Sequence, residues 1–256
     1  MQQYKPKKKK LTSRSPIPNK EPYPMRINKY LALKNYATRR NADELITSKK
    51  VTINGVLAKI GDKIKETDMI EVKYGKEEIP KYSYYAFNKP VGMITSSQEK
   101  EEEDIISSLP AELKKINLFP LGRLDRNSHG LILLTNDGRV TDRLLNPKYE
   151  HQKEYEVVVA RKLRDNFKEK MEGGINIEGY VTKPAKIKVL SENKFSITII
   201  EGKTHQIRRM VSAVFNEVED LKRISVMNIK LLDLKTGVFR PILGKELAEF
   251  LKSLAL

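Results

Sequence analysis

Residues 122–138 contain the group best suited to chemistry, a single carboxylate with basic neighbours. In the sequence GRLDRNSHGLILLTNDG, Asp125 lies between Arg123 and Arg126 and shortly before an apolar run typical of a buried strand. Two neighbouring guanidinium groups favour the ionised form of a carboxylate, so we expect Asp125 to stay charged at low pH. A fixed, ionised carboxylate serves as a nucleophile or base, or as a structural partner of arginines. This stretch alone leaves both roles open.

The composition argues against several other kinds of chemistry. The 256 residues include no Cys, and the three His residues, at positions 129, 151 and 205, lack metal-ligand spacing. We therefore expect neither a metal nor a cofactor. No apolar run approaches the ~18 residues needed to cross a bilayer, and the N-terminus lacks the apolar core of a signal peptide. The sequence thus predicts a cytoplasmic protein that does not contact membranes.

The net charge of +16 is concentrated in the first third of the chain. Residues 1–25 carry +6 and residues 26–75 carry +5, whereas the remaining 181 residues together carry +5. This basic region favours a polyanionic partner, and nucleic acid fits better than a membrane because the sequence has no basic amphipathic helix with aromatic anchors. A lysine-rich surface that serves only solubility is the alternative.

Patterns along the chain predict an α+β protein in four parts. These are a basic flexible tail (residues 1–24), a small α/β unit (25–74), a linker (75–81) and a larger domain (82–256). The small unit combines two short helical patterns, the second with Thr38 as its predicted N-cap, with the Asn54-Gly55 hairpin signal. In the larger domain, apolar and polar residues alternate in several segments, which predicts a mainly antiparallel sheet with few helices. Residues 94–95 and 227–231 are among the predicted strands. Its clearest helical pattern covers residues 205–215.

The small unit resembles the S4-like RNA-binding domain, which is named after a ribosomal protein. The resemblance rests on RINKYL at residues 26–31, TRRNADELI at 38–46 and VTING at 51–55. Arg39 and Arg40 stand at the predicted start of the second helix, where free backbone N–H groups also bind phosphate. The RNA contacts predicted in this unit are Arg26, Lys29, Arg39, Arg40, Lys49 and Lys50. Without the resemblance, these residues indicate a small basic α/β module, for which binding to a partner protein is the alternative.

Four ordered segments of the larger domain resemble the ribosomal-RNA pseudouridine synthase family, in the branch with an N-terminal S4-like domain. They are NKPVGM at 88–93, residues 122–138, KEY at 153–155, and EGKTHQIRRM at 201–210. Four ordered motifs are far more specific than any one alone. The resemblance implies that the protein isomerises uridine: the N1–C1′ bond breaks, the uracil turns, and C5 is joined to C1′. No electrons are gained or lost, so the reaction needs no cofactor.

The resemblance also implies a role for each site residue. Asp125 matches the essential carboxylate, Tyr155 the active-site tyrosine that stacks on a flipped uracil and helps the C5 proton to leave, and Arg208 the arginine that pairs with the carboxylate. Supporting positions are Lys89 and Pro90, which shape the pocket, and Arg123, Arg126 and Arg209 as phosphate contacts. From the residues alone, Tyr155 also fits an ordinary core position and Arg208 a solvated helix face.

These observations predict a cofactor-free pseudouridine synthase that acts on ribosomal RNA or a pre-ribosomal particle. Large-subunit RNA is favoured because VMNIK at residues 226–230 and GVFR at 237–240 resemble the large-subunit members of the family. We expect a monomer without an obligate protein partner. The first alternative is an RNA-binding ribosome assembly factor that has lost catalysis, and the second is a metal-dependent RNA hydrolase, which needs clustered carboxylate or His ligands.

Overall fold

The computed structural model describes residues 23–34, 36–37, 39–73, 82–95 and 104–256. The chain divides into two compact units, and the division lies between Tyr74 and Gly75. The predicted linker, nearly all of the predicted tail and the predicted N-cap residue Thr38 lie outside the described residues.

The smaller unit has two helices and five short strands in its described part. Its elements are β1 (Met25–Arg26), α1 (Ile27–Leu33), α2 (Arg39–Thr47), β2 (Val51–Ile53), β3 (Val56–Leu57), β4 (Lys63–Ile64) and β5 (Ile70–Val72). Ile27 and Leu31 of α1 pack in one core with Ala42 and Ile46 of α2, because the helical spacing puts each pair on one face. Asn54 and Gly55 both have positive φ, 51° and 83°, as the tight β2–β3 turn requires.

The larger unit begins with elements that lead to the centre of its sheet. These are β6 (Tyr84–Lys89), α3 (Ala111–Lys114), β7 (Phe119–Leu121), β8 (His129–Thr135), α4 (Arg139–Leu145), a 3-10 turn (Pro147–Tyr149) and β9 (Lys153–Val159). The apolar run after Asp125 forms β8, which is buried almost throughout. It therefore lies in the interior of the sheet.

The second half of this unit completes the sheet and covers it with helices. Its elements are α5 (Phe167–Glu172), β10 (Asn176–Ile177), β11 (Tyr180–Val181), β12 (Lys186–Ser191), β13 (Lys194–Ile199), α6 (Gln206–Ala213), β14 (Val218–Val226), β15 (Ile229–Lys230), β16 (Phe239–Pro241) and α7 (Gly244–Ser253). The nine-stranded sheet has the order β12-β13-β9-β14-β8-β6-β16, with β7 on β8 and β15 on β14. Among the described strands, only the β14–β8 pair is parallel. The predicted α+β fold with a mainly antiparallel sheet is confirmed.

Two details differ from the prediction. The strand expected over residues 227–231 is wrong at its start, since β14 ends at Val226, Met227 turns with φ 53°, and only Ile229–Lys230 pairs back. The pattern missed β14 because its charged residues interrupt the apolar alternation. Residues 94–95 were expected to form a strand, yet Ile94 makes only an isolated bridge with Asp104.

Candidate active site

The loop that carries Asp125 is fixed by backbone and side-chain hydrogen bonds on both sides of the carboxylate. The hydroxyl of Thr95 donates to the carbonyl of Leu124 at 2.8 Å and accepts from its N–H at 3.0 Å. The N–H of Gly92 donates to the carbonyl of Arg126 at 2.9 Å. The segment that follows the NKP motif therefore holds the loop from residue 124 to residue 126.

Apolar packing brings three of the four motifs together. Leu124, directly before Asp125, belongs to the same buried cluster as Tyr155 of β9 and Ile207 of α6. The Tyr155 residue is 8% exposed, and its hydroxyl has no hydrogen-bond partner in the described part of the chain. A phenol that is packed through its ring and unpaired at its oxygen suits a ring that stacks on a base.

His205 lies directly beside the carboxylate of Asp125. Its Nε2 is 3.5 Å from Oδ1 of Asp125, and both side chains are about half exposed. His205 precedes the first residue of α6 and has φ 51°, a left-handed conformation that is uncommon outside Gly. The sequence pattern gave no reason to place His205 in the site, because a single His is usually satisfied locally.

The ion pair expected between Arg208 and Asp125 is absent from this structure, and that expectation is corrected. The Arg208 guanidinium donates instead to the carbonyls of Asn127 (2.9 Å) and Val218 (3.2 Å), and it lies 3.4 Å from the Ser128 hydroxyl. Backbone carbonyls on both sides of the guanidinium satisfy it. Arg208 therefore ties α6 and β14 to the loop after Asp125.

Lys89, expected only to shape the pocket, is a fully buried cation beneath the Asp125 loop. Its Nζ donates to the carbonyls of Ser128 (2.7 Å) and Pro90 (2.9 Å). Burial lowers the pKa of Lys89 to about 8, and the negative charge of Asp125 opposes that shift. The cation near Asp125 is thus Lys89 of β6, whereas the motif match predicted Arg208 of α6.

The depressed pKa of Lys89 predicts that stability rises at alkaline pH. Because its pKa is about 8 when folded and about 10.4 when unfolded, the unfolded chain binds more protons between these values, and the free energy of unfolding increases with pH there. Lys153, whose pKa is also lowered to about 8, adds to the same rise. In urea unfolding across this pH range, we expect the free energy of unfolding of Lys89→Met to rise less than that of the parent, because only Lys153 still contributes to the rise. An equal rise in parent and variant would contradict the prediction.

The residues predicted to contact RNA differ in how exposed their side chains are. Arg26, Lys49, Arg123 and Arg126 are exposed or partly exposed, whereas Lys29 and Lys50 are half-buried, and the side chains of Arg39 and Arg40 lie outside the described part. Arg209 already donates to Glu178 at 2.7 Å and to the carbonyl of Ile177 at 2.9 Å. A phosphate contact by Arg209 would have to replace that ion pair.

Arg223 lies close to Tyr155 and was not predicted from the sequence. This residue is 3% exposed in β14 and pairs in register with Tyr155 of β9. The sequence carried no usable signal for it, because β14 itself was missed; an Arg buried in a strand is rare without a partner or a function.

The described residues contain neither a membrane span nor a metal cluster. No helix there is long and apolar enough to cross a bilayer. Likewise, three or more metal-binding side chains do not cluster anywhere in that part of the chain.

Comparison with known proteins agrees with this arrangement. The family of RNA pseudouridylate synthases matches residues 83–213, and the S4 domain matches residues 25–70. The dual-specificity RNA pseudouridine synthase RluF of Escherichia coli O6:H1 is 36% identical over 232 residues, which cover 89% of this chain and 79% of RluF. Ribosomal large subunit pseudouridine synthase B of Bacillus subtilis is 36% identical over 228 residues, which cover 86% of this chain and 93% of that protein.

A solved structure extends the similarity to the fold. The crystal structure of a pseudouridylate synthase aligns with a TM-score of 0.65 and 30% identity, covering 90% of this chain and 99% of that chain. The family match over residues 83–213 includes the loop of Asp125, β9 and α6. With its S4 domain followed by a synthase domain, this chain belongs to the pseudouridine synthase family, in the branch that carries an N-terminal S4 domain.

Proposed function

We propose that this pseudouridine synthase converts uridine to pseudouridine in ribosomal RNA of the large subunit, without a cofactor. Support comes from the names of two relatives of similar length, one described as a dual-specificity RNA pseudouridine synthase and one as a large-subunit enzyme. The observation that carries the proposal is the shared buried cluster that joins the loop of Asp125 to Tyr155 and α6.

Asp125 is assigned the first chemical step. Its carboxylate either attacks C1′ of the ribose or removes a proton from the sugar, and in both routes the electron pair of the N1–C1′ bond leaves with the uracil. C5 then bonds to C1′; in the first route this breaks the bond between C1′ and the Asp125 carboxylate, and in the second the abstracted proton returns to the sugar. The C5 proton departs and N1 gains a proton, so atoms and electrons balance. Both routes require an ionised carboxylate at neutral pH.

Tyr155 and Arg208 are assigned supporting roles. The Tyr155 ring stacks on the uracil once the base has left its helix, and its unpaired hydroxyl helps the C5 proton to leave. Arg208 is assigned to orientation of the Asp125 loop, because it binds the carbonyl of Asn127 two residues after the carboxylate. Extrusion of the uracil is easiest from loops and distorted helices, which makes such RNA the favoured substrate.

The product and target can be tested directly. RNA labelled with tritium at uridine C5 should release tritium with the purified protein, and pseudouridine mapping of large-subunit RNA should show a site that is lost on gene deletion and restored with the gene. A protein that binds ribosomal RNA but forms no pseudouridine would instead support the assembly-factor alternative. Pseudouridine found only in another RNA would overturn the large-subunit assignment.

We assign RNA docking in the cytoplasm to the S4 domain and the basic N-terminal residues, with the protein acting as a monomer. Binding should then weaken steeply with salt. Deleting residues 1–24, or changing Arg26 or Lys49 to Gln, should flatten the log–log salt slope by about 0.7 for each phosphate of single-stranded RNA that the variant no longer neutralises. Lys168→Gln, an exposed site on α5, serves as the control. Slopes that equal the parent's for all these variants would remove the proposed RNA role of this region.

A further inference from the structure

Two largely buried cations lie beside Tyr155 and are not used by the mechanism so far. Arg223 is the cross-strand partner of Tyr155, and its Cζ lies 6.0 Å from the centre of the tyrosine ring. Lys153 is two residues before Tyr155 on β9, so its side chain leaves the same face of the sheet. The two cations therefore flank the ring on which the uracil would stack.

Neither cation has an acidic partner in the described part of the chain. The Nε of Arg223 donates to the carbonyl of Leu131 at 2.6 Å, while its Nη2 is buried without a hydrogen bond. The Nζ of Lys153 reaches only the carbonyl of His151, at 3.3 Å. Burying charges without a counter-ion lowers the stability of the fold. We therefore expect these two cations to have a functional role.

The position of Arg223 is enforced by close backbone contact. Gly130 of β8 is in register with Arg223, and a Cβ at Gly130 would lie 2.4 Å from the Arg223 carbonyl oxygen. Only Gly lets β14 approach β8 this closely at that point. The charge is thus held by the two central strands of the sheet, near the start of β8, the strand that follows the loop of Asp125.

We infer that Arg223 and Lys153 form a cation pair that stabilises the negative charge on the uracil during isomerisation. The inference rests on the proposed function. When the N1–C1′ bond breaks, the bonding electron pair stays on the uracil, which carries one negative charge until C5 joins C1′. Fixed cations in a low-dielectric interior stabilise a charge that develops nearby without having to reorganise. Both residues act through their electrostatic field and by holding Tyr155 in place, without touching the reacting atoms. We therefore class them as positioning residues.

A leaving-group experiment distinguishes this role from a structural one. Single-turnover loss of the target uridine is followed by nuclease digestion and mass spectrometry, with the full-length protein in excess over ribosomal RNA. Arg223→Met should lower the rate constant about 100-fold, with unchanged half-saturating protein concentration, while Arg223→Lys should recover most of the rate. Arg161→Met, an exposed site, should match the parent.

The same assay on RNA containing 5-fluorouridine gives the decisive comparison. Fluorine withdraws electrons and stabilises the uracil anion, so the loss caused by Arg223→Met should be clearly smaller than on uridine. Equal losses on the two substrates would overturn the inference. If Arg223→Met fails to fold, Lys153→Met supplies the same comparison, with an expected loss of about tenfold on uridine. An inactive parent would refute the proposed function instead.

The pH profile gives a second readout. Burial first and Arg223 second lower the pKa of Lys153 to about 8, so activity should fall as Lys153 loses its proton above that pH. Among the neighbouring elements, β14 contributes Arg223, β13 contributes the apolar Ile199, and the segment before β9 contributes His151, whose pKa burial lowers below its ordinary 6.5. Lys89 of β6, whose pKa burial also lowers to about 8, titrates in the same range. Arg223→Lys should leave this alkaline loss of activity in place, and Lys153→Met should reduce it to the part that Lys89 contributes. A loss unchanged in Lys153→Met would count against the pair.

Discussion

Asp125→Asn is expected to bind ribosomal RNA like the parent and to release no measurable tritium from uridine C5. Asn has the shape of Asp but neither the charge of a nucleophile nor the basicity needed to take a proton, and loss of a positioned acid–base group alone costs about 10²–10⁴-fold in rate. The side chain is 40% exposed, so removing its charge should affect folding little. Single-turnover tritium release and RNA binding at one salt concentration give the two measurements.

Two comparisons make this test specific. Asp165→Asn removes an exposed carboxylate from the same unit and should release tritium at the parent rate. His205→Gln keeps a polar side chain near Asp125 and should lower the rate far less than Asp125→Asn does. Tritium release by Asp125→Asn at a rate near the parent's would remove Asp125 from the mechanism.

The fold was largely predictable because its signals are local. Helical spacing in residues 27–46, the Asn54-Gly55 turn and the apolar run of β8 each follow from neighbouring residues. The elements that were missed depend on distant parts of the chain. β14 carries two adjacent pairs of charged residues, Glu219-Asp220 and Lys222-Arg223, yet it lies at the centre of the sheet because β9 and β8 pair with its two edges. A single sequence gives no direct sign of such pairings.

The sequence predicted which residues belong to the site, but not how their side chains are arranged. Motif matching selected Asp125, Tyr155 and Arg208, but side-chain direction depends on contacts that no motif contains. Arg208 is drawn away from Asp125 by the carbonyls of Asn127 and Val218, which belong to different elements. For the same reason Lys89 and Arg223, both buried by strands distant in sequence, gained importance only in three dimensions.

Asp137 is the centre of a buried polar network that should dominate the stability of the larger unit. Its carboxylate is fully buried and accepts two hydrogen bonds at 2.7 Å from the guanidinium of Arg139 and one from the hydroxyl of Tyr84. Burial and the bond to Asp137 raise the pKa of Tyr84, which keeps its hydroxyl a donor. Arg139 also stacks over Tyr82, with its Cζ 4.0 Å from the ring centre.

Asp137→Ala should therefore cost about 3–5 kcal/mol of the free energy of unfolding, because it leaves the Arg139 charge and the Tyr84 hydroxyl buried without their acceptor. For a unit of this size, that corresponds to a fall in Tm of roughly 10 °C, measured by circular dichroism. Asp165→Ala should change stability by less than about 0.5 kcal/mol. Because Asp137→Ala/Arg139→Met removes both charges, it should be more stable than Asp137→Ala alone. A double variant no more stable than the single one would show that the loss comes from packing and not from the stranded charge.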